Sequence, residues 1–368
     1  MSLSQTFRFN PSYKAKNRVA LAPMTNTQSE SDGTASSEEV SWLERRAEGG
    51  FGMTITCASH VLRLGQGWPG QMGIFSDALL PGLKKVAAGI RKHGCLGLVQ
   101  LHHGGVRALK SLTGKVPNSV IALPQNSIFP DGATALSIAE IDQVIEAFIL
   151  AAKRAEQAGF AGVELHGAHG YLLSQFFDRH LNTRQDEWGG PFEDRIRIWI
   201  EIIHGIKKQC GPDFILGVRF SPENYGSDGL YPLEESFELM DILIDEGVDL
   251  LHASLWDVFK TPADPTVHYP TTLDALVKHV NGRRPLMVAG KIWTLKDAGW
   301  AMDHGADFVA LGKVAIANPD WPKQLIGQPL KLNVPPYDTN LLERQQLGPA
   351  FINYLRRWPG FIQDEPKS

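Results

Sequence analysis

Two imidazoles and a phenol fall within six residues in His166-Gly167-Ala168-His169-Gly170-Tyr171, directly after the run Ala161-Gly162-Val163-Glu164-Leu165. Such a run reads as a strand buried on both faces, and ionisable groups at its end need partners rather than apolar surroundings. Two imidazoles can donate hydrogen bonds to one oxygen, and a phenol can deliver a proton to a neighbouring carbon. The His-x-x-His spacing also fits a pair of metal ligands, although a catalytic zinc site takes three protein ligands with supporting partners.

Short apolar runs recur at residues 18–21, 53–57, 96–101, 162–165, 216–220, 249–253, 286–289 and 308–311. Helical patterns lie between and after them, at 36–48, 79–93, 137–159, 192–209, 233–246, 271–280, 295–304 and 319–326. Ser137 and Glu140 form a capping-box signature, and Gly159 supplies a stop before the next strand. Runs that are apolar throughout, alternating with helices, predict an α/β protein built as a closed (β/α)8 TIM barrel, with chemistry at the carboxyl ends of its strands. The 368 residues fit one such domain, 1–368, with loop insertions and a C-terminal extension from about 335. Residues 106–135, rich in Pro, Gly, Ser and Asn, form a long loop over the third strand, either a surface excursion or a lid.

Charge and cysteine content narrow the partners. Lysine and arginine number 36 against 40 acidic residues, a net charge of −4, which argues against nucleic acid or an anionic membrane and for a small molecule. Cys57, Cys95 and Cys210 lie far apart without a C-x-x-C pair, which predicts no disulfide framework or metal cluster and a cytoplasmic location. No stretch approaches the roughly 20 apolar residues of a membrane helix.

The residues at the predicted strand ends form one set: Ala22-Pro23-Met24-Thr25, Ala58, Gln100 with His103, His166 with His169 and Tyr171, Arg219, Ser254, Gly290-Lys291 and Gly312-Lys313. The last two strands each end in glycine and lysine, a pattern that suits a phosphate held by backbone N–H groups, glycine permitting close approach and lysine supplying charge. A guanidinium at a buried strand end, Arg219, requires an anionic or carbonyl partner. A phosphate corner, an amide that both donates and accepts at Gln100, and a cation at Arg219 together meet the needs of flavin mononucleotide, whose ring becomes anionic on reduction.

Across nearly its whole length the chain resembles the old yellow enzyme family of FMN-dependent ene-reductases. The resemblance rests on Asn17-Arg-Val-Ala-Leu-Ala-Pro-Met-Thr25, Gln100-Leu-His-His103, His166-Gly-Ala-His-Gly-Tyr171, Asn182-Thr-Arg-Gln-Asp-Glu-Trp-Gly-Gly190 and Gly312-Lys-Val-Ala-Ile-Ala-Asn-Pro319. It implies that Ala22, Pro23, Met24 and Thr25 line the flavin, with the Thr25 hydroxyl on its O4, and that Ala58 borders the ring. Gln100 and Arg219 would bind the pyrimidine side; Gly290, Lys291, Gly312 and Lys313 would surround the phosphate. His166 and His169 would hold the substrate's activating oxygen, Tyr171 would donate the proton, and His103 would pack behind the flavin. Three positions depart from the family: Lys313 stands where arginine is common, Val106 where an arginine often follows the Gln100 segment, and Thr27 where one subgroup has tyrosine. The stretch 182–195 is expected to be structural, with Arg184, Asp186 and Arg195 tying a loop to a helix.

The implied reaction takes hydride from NADPH or NADH onto FMN and passes it to the activated C=C bond of an α,β-unsaturated carbonyl or nitro compound. An FMN-dependent amine dehydrogenase or demethylase of the same family is the alternative, and a metal-dependent hydrolase a more distant one. The aromatic run from Phe351 to Phe361 packs either on its own barrel or at the interface of a homo-oligomer, where Arg356 or Arg357 could reach a neighbouring site.

Overall fold

The computed structural model describes residues 2–223 and 232–363. Eight parallel strands close a barrel: β1 Val19–Leu21, β2 Met53–His60, β3 Leu96–His102, β4 Gly162–Gly167, β5 Ile215–Phe220, β6 Leu250–Ser254, β7 Leu286–Ala289 and β8 Phe308–Leu311. Each pairs with its successor, and β8 returns to β1 through Val309↔Val19 and Leu311↔Leu21. Every strand residue is buried, which explains why the sequence shows continuous apolar runs rather than alternation.

The outer helices are α1 Ser37–Glu48, α2 Leu80–Arg91, α3 Ile138–Ala158, α4 Phe192–Cys210, α5 Leu233–Asp245, α6 Thr272–Val280, α7 Leu295–Asp303 and α8 Lys313–Ala317. Local chemistry sets their ends: Ser36 accepts from the Glu39 amide, Ser137 and Glu140 complete a capping box, and Gly159 closes α3 in the left-handed region. The eighth helix departs from the sequence expectation. It starts at Lys313, immediately after β8, and residues 321–326 form a 3-10 turn instead.

The barrel interior divides into two levels. Its lower half is filled by Ala20, Met53, Ile55, Leu98, Leu250, Met287, Phe308 and Ala310. A hairpin of Phe7–Arg8 with Lys14–Ala15 closes that end: Phe7 meets Phe308 edge-to-face at 5.2 Å, Phe9 stacks on it at 5.7 Å, and Arg18 lies over Phe7. Polar side chains occupy the upper half.

Residues 106–135 carry a short helix, Lys110–Thr113, and a two-stranded parallel pair, Asn118–Ser119 with Thr134–Ala135. Arg184 anchors both margins of this excursion, donating from Nη1 to the carbonyls of Val120 (2.9 Å) and Leu136 (2.7 Å) while forking onto Asp186 (2.9 and 2.6 Å). Arg195 bonds the Phe177 carbonyl and Glu235, the latter at 2.8 Å. The 182–195 stretch thus ties a loop to a helix.

The C-terminal aromatic run folds back onto its own barrel. Phe351 meets Trp42 edge-to-face at 5.0 Å, Gly348 donates to Gln28 Oε1 (2.6 Å), and Thr27 donates to the Ala350 carbonyl (3.2 Å). Arg356 and Arg357 stay exposed, and residues 364–368 of the extension lie outside the described part. A buried arginine joins this segment to the barrel top. Arg46 on α1 lies 3.3 Å from the Trp42 ring centroid and donates to the carbonyls of Ile316 (2.6 Å), Gln345 (2.6 Å), Trp42 (3.2 Å) and Ala315 (3.3 Å).

Candidate active site

At the carboxyl end of β4 the three expected groups converge. The rings of His166 and Tyr171 are 4.9 Å apart and those of His166 and His169 5.2 Å, while His102 from β3 packs edge-on to Tyr171 at 4.4 Å. The local backbone enforces this crowding: His169 takes φ of 62°, and a side chain at Gly167 would collide with the Trp199 ring. Gln175 secures the turn, donating to the Gly170 carbonyl (2.8 Å) and accepting from Val106 N (3.3 Å) and Ser119 (3.1 Å).

The two histidines differ in partner. His166 Nδ1 accepts from the Ala168 amide at 3.4 Å, which leaves Nε2 as its N–H. His169 Nε2 lies 2.8 Å from Ser254 Oγ, and Arg219 donates to the same oxygen at 2.9 Å. Burial of the rings, reinforced by neighbouring cationic and imidazole groups, holds His166 well below the usual imidazole range and brings His169 down to about 3. Burial raises the Tyr171 phenol, against a lowering influence from Arg107, whose guanidinium lies 5.7 Å from the Tyr171 ring. Arg107, one residue beyond Val106, therefore supplies a cation beside the position where the family's arginine is absent.

Beneath these groups lies a floor that sequence reasoning largely missed. Gln100 Nε2 donates to Glu164 Oε1 (2.8 Å), and His252 Nδ1 donates to Glu164 Oε2 (2.7 Å), with Glu164 and His252 both fully buried. The available signal was an ionisable residue inside each of two apolar strand runs. Arg219 reaches the Pro23 carbonyl (3.5 Å) and Ser254, and its Nε, like His252 Nε2 and His102 Nε2, is buried with no protein partner.

The Ala22–Thr25 segment leaves β1, Pro23 buried and Met24 and Thr25 half-buried. Asn26 donates to Glu39 Oε1 (2.9 Å) on α1 and so fixes the turn that follows. Ala58 lies inside β2 rather than beyond it, opposite Gln100 and just after an irregularity between Ile55 and Ala58. His103 is a packed residue, accepting from the Gly105 amide at 3.1 Å.

The glycine corner is present, but its lysines have other partners. Gly290 adopts φ of 153°, and a Cβ there would collide with the Leu255 carbonyl. Gly312 caps α8 with φ −99° and ψ −100°. Lys291 Nζ pairs with Asp257 (3.2 Å), Lys313 Nζ sits 5.9 Å from the Trp358 ring, and the corner also presents backbone amides. Gly290→Ala is expected to weaken FMN binding to the apoprotein at least tenfold, read by fluorescence quenching, because the strand-to-loop turn must shift; wild-type affinity would contradict the assignment.

These features fit a flavin mononucleotide: Arg219, His252 and His102 each carry a buried polar atom without a protein partner, and a close-approach glycine corner follows β7. The class they define is a flavin-dependent barrel oxidoreductase. Residues 7–331 match the model of the NADH:flavin oxidoreductase / NADH oxidase family. A probable NADH-dependent flavin oxidoreductase of Bacillus subtilis is 37% identical over 329 residues, covering 87% of this chain and 86% of its own. An NADPH dehydrogenase of Halalkalibacterium halodurans is 31% identical, covering 84% and 89%. An NADH:fumarate oxidoreductase of Klebsiella pneumoniae is 35% identical over 89% of this chain, which spans only 36% of that longer protein. Among solved structures, an old yellow enzyme homologue from Zymomonas mobilis superposes with TM-score 0.78 at 28% identity, covering 91% of this chain and 95% of its own. A morphinone reductase point mutant in complex with tetrahydroNAD gives 0.76 at 26%, covering 93% and 94%.

The chain belongs to the NADH:flavin oxidoreductase / NADH oxidase family, the old yellow enzymes. It is an FMN-dependent NAD(P)H oxidoreductase.

The buried imidazoles set an acid limit. Burial brings His60 down to about 4 and His103 to about 3, and lowers His102, His166 and His252. A group with a depressed native pKa contributes stability that is present above its unfolded value, near 6.5, and lost as pH falls toward the native value. Glu39, pushed up to about 7 by burial, acts oppositely, its contribution present at low pH and lost as pH rises toward 7. Between about pH 7.5 and 5.5, His60 and His103 remove about 3 kcal/mol and Glu39 returns about 2, with the other histidines adding to the loss. The urea midpoint should therefore fall at the lower pH; a higher midpoint there would refute this account.

Proposed function

We propose that this protein is an ene-reductase, transferring hydride from NAD(P)H by way of FMN to the β-carbon of an α,β-unsaturated carbonyl or nitro compound. The observation that carries the reading is the convergence of His166, His169 and Tyr171 at one strand end above the Gln100–Arg219 floor. When bound, FMN supplies the hydride chemistry. Ala22, Pro23, Met24, Thr25 and Ala58 would line it, Gln100 and Arg219 would meet its pyrimidine edge, and the amides around Gly290, Lys291, Gly312 and Lys313 would hold its phosphate.

The protein's own groups then act on the acceptor. His166 presents Nε2–H. Arg219 donates to Ser254, which directs the serine proton at His169 Nε2 and leaves Nδ1 as that ring's N–H. Two neutral imidazoles thus offer two donors to one activating oxygen, and they bind it more strongly as it gains enolate or nitronate charge, which lowers the barrier. Tyr171 keeps its proton at neutral pH because burial raises its pKa, and it hands that proton to the α-carbon.

An anaerobic titration tests the reading. The yellow protein should bleach with NADPH or NADH and recover its colour with 2-cyclohexenone in stoichiometric amount. Bleaching without recovery by enone or nitroalkene would overturn it.

A further inference from the structure

Glu164 and His252 belong to no role described so far, yet they occupy the centre of the barrel. Glu164 on β4 and His252 on β6 reach across β5, where Gly217 is the registered neighbour of Glu164 and carries no side chain between them. Both Glu164 oxygens accept, one from Gln100 and one from His252, the arrangement of a carboxylate. An acid with no solvent contact is retained in a core only where it is paired and hydrogen-bonded. Arg219 lies within reach of the Glu164 charge, which acts on it favourably against the burial that opposes its ionisation.

We propose that Glu164, held by His252, is the positioning residue for the flavin's pyrimidine edge. By taking one N–H of Gln100 it fixes the amide so that Oε1 is left for the ligand, and its negative charge offsets Arg219 and sets how readily the ring accepts electrons. His252, neutral and donating from Nδ1, holds the carboxylate in place without adding charge. The inference rests on the assignment of Gln100 and Arg219 to the flavin.

The consequence is a reduction potential governed by a residue that does not touch the cofactor. Replacing the carboxylate by an amide leaves Arg219 uncompensated, which favours the anionic reduced ring and moves the potential upward. A tenfold change in the reduction equilibrium corresponds to about 30 mV for two electrons.

The test is the flavin midpoint potential of Glu164→Gln and His252→Asn holoproteins, by dye equilibration. Glu164→Gln should shift the equilibrium at least tenfold toward reduced flavin, whereas His252→Asn, which conserves charge and a donor, should shift it far less. An unchanged potential in Glu164→Gln, or an equal shift in both variants, overturns the proposal. If Glu164→Gln does not fold, Glu164→Asp substitutes for it: charge without reach predicts a near wild-type potential with weaker FMN binding to the apoprotein, and the reverse pattern overturns the idea. Gln100→Leu separates the underlying assignment. Wild-type FMN affinity and potential in that variant would remove the pyrimidine contact itself, whereas a Gln100 effect without a Glu164 effect would remove only this inference.

Discussion

Tyr171→Phe should slow reoxidation of the reduced protein by 2-cyclohexenone about 10²–10⁴-fold, the usual range for a lost general acid, while leaving reduction by NADPH largely intact. The phenyl ring preserves the packing on His102 (4.4 Å) and His166 (4.9 Å), so the substitution removes a proton and little else. The phenol holds that proton because burial outweighs the opposing pull of Arg107 and Arg219. Stopped-flow measurement of the two half-reactions separates them. Equal slowing of both would mean that the phenol serves ligand binding or local structure instead.

Arg46→Met should cost about 3–5 kcal/mol of unfolding free energy, because several buried carbonyls lose a charged donor and each one left unsatisfied costs about 1–3 kcal/mol. Methionine fills similar space but leaves the carbonyls of Ile316, Gln345, Trp42 and Ala315 without this donor, and forfeits the stacking on Trp42. Two of those carbonyls belong to α8, directly after Gly312, so FMN retention should fall together with stability. Arg45→Met is the control, since Arg45 pairs with Asp320 at a partly exposed site, where a pair contributes about 1 kcal/mol or less. Urea unfolding of both variants decides the matter: a loss in Arg46→Met no larger than in Arg45→Met would defeat the argument.

The barrel was legible because parallel strands covered on both faces leave unbroken apolar runs, and β7 and β8 were read to the residue. Strand β2 was cut short at Cys57, because the irregularity before Ala58 interrupts a pattern that resumes to pair His60 with His102. The last helix was misplaced because Val314, Ala315, Ile316 and Ala317 are all buried, so α8 has no polar face to mark its period. At the site, residues near the carboxyl ends of the strands announced themselves, although Gln100, His166, Arg219 and Ser254, like Ala58, lie inside their strands rather than past them. Glu164 and His252 were hidden because inside a strand each is one polar letter among apolar ones, and only closure of the barrel brings β4 and β6 close enough to pair them. The partners of Lys291 and Lys313 were equally invisible, since Asp257 and Trp358 approach from other segments.

The aromatic hairpin under β8 has a kinetic meaning. With the lower half of the barrel filled by side chains and closed by Phe7 and Phe9, a flavin held at the carboxyl ends of the strands would be open on that side alone, so nicotinamide donor and acceptor would take turns there. Steady-state velocities should follow parallel double-reciprocal lines, and a high concentration of either reactant should obstruct the other.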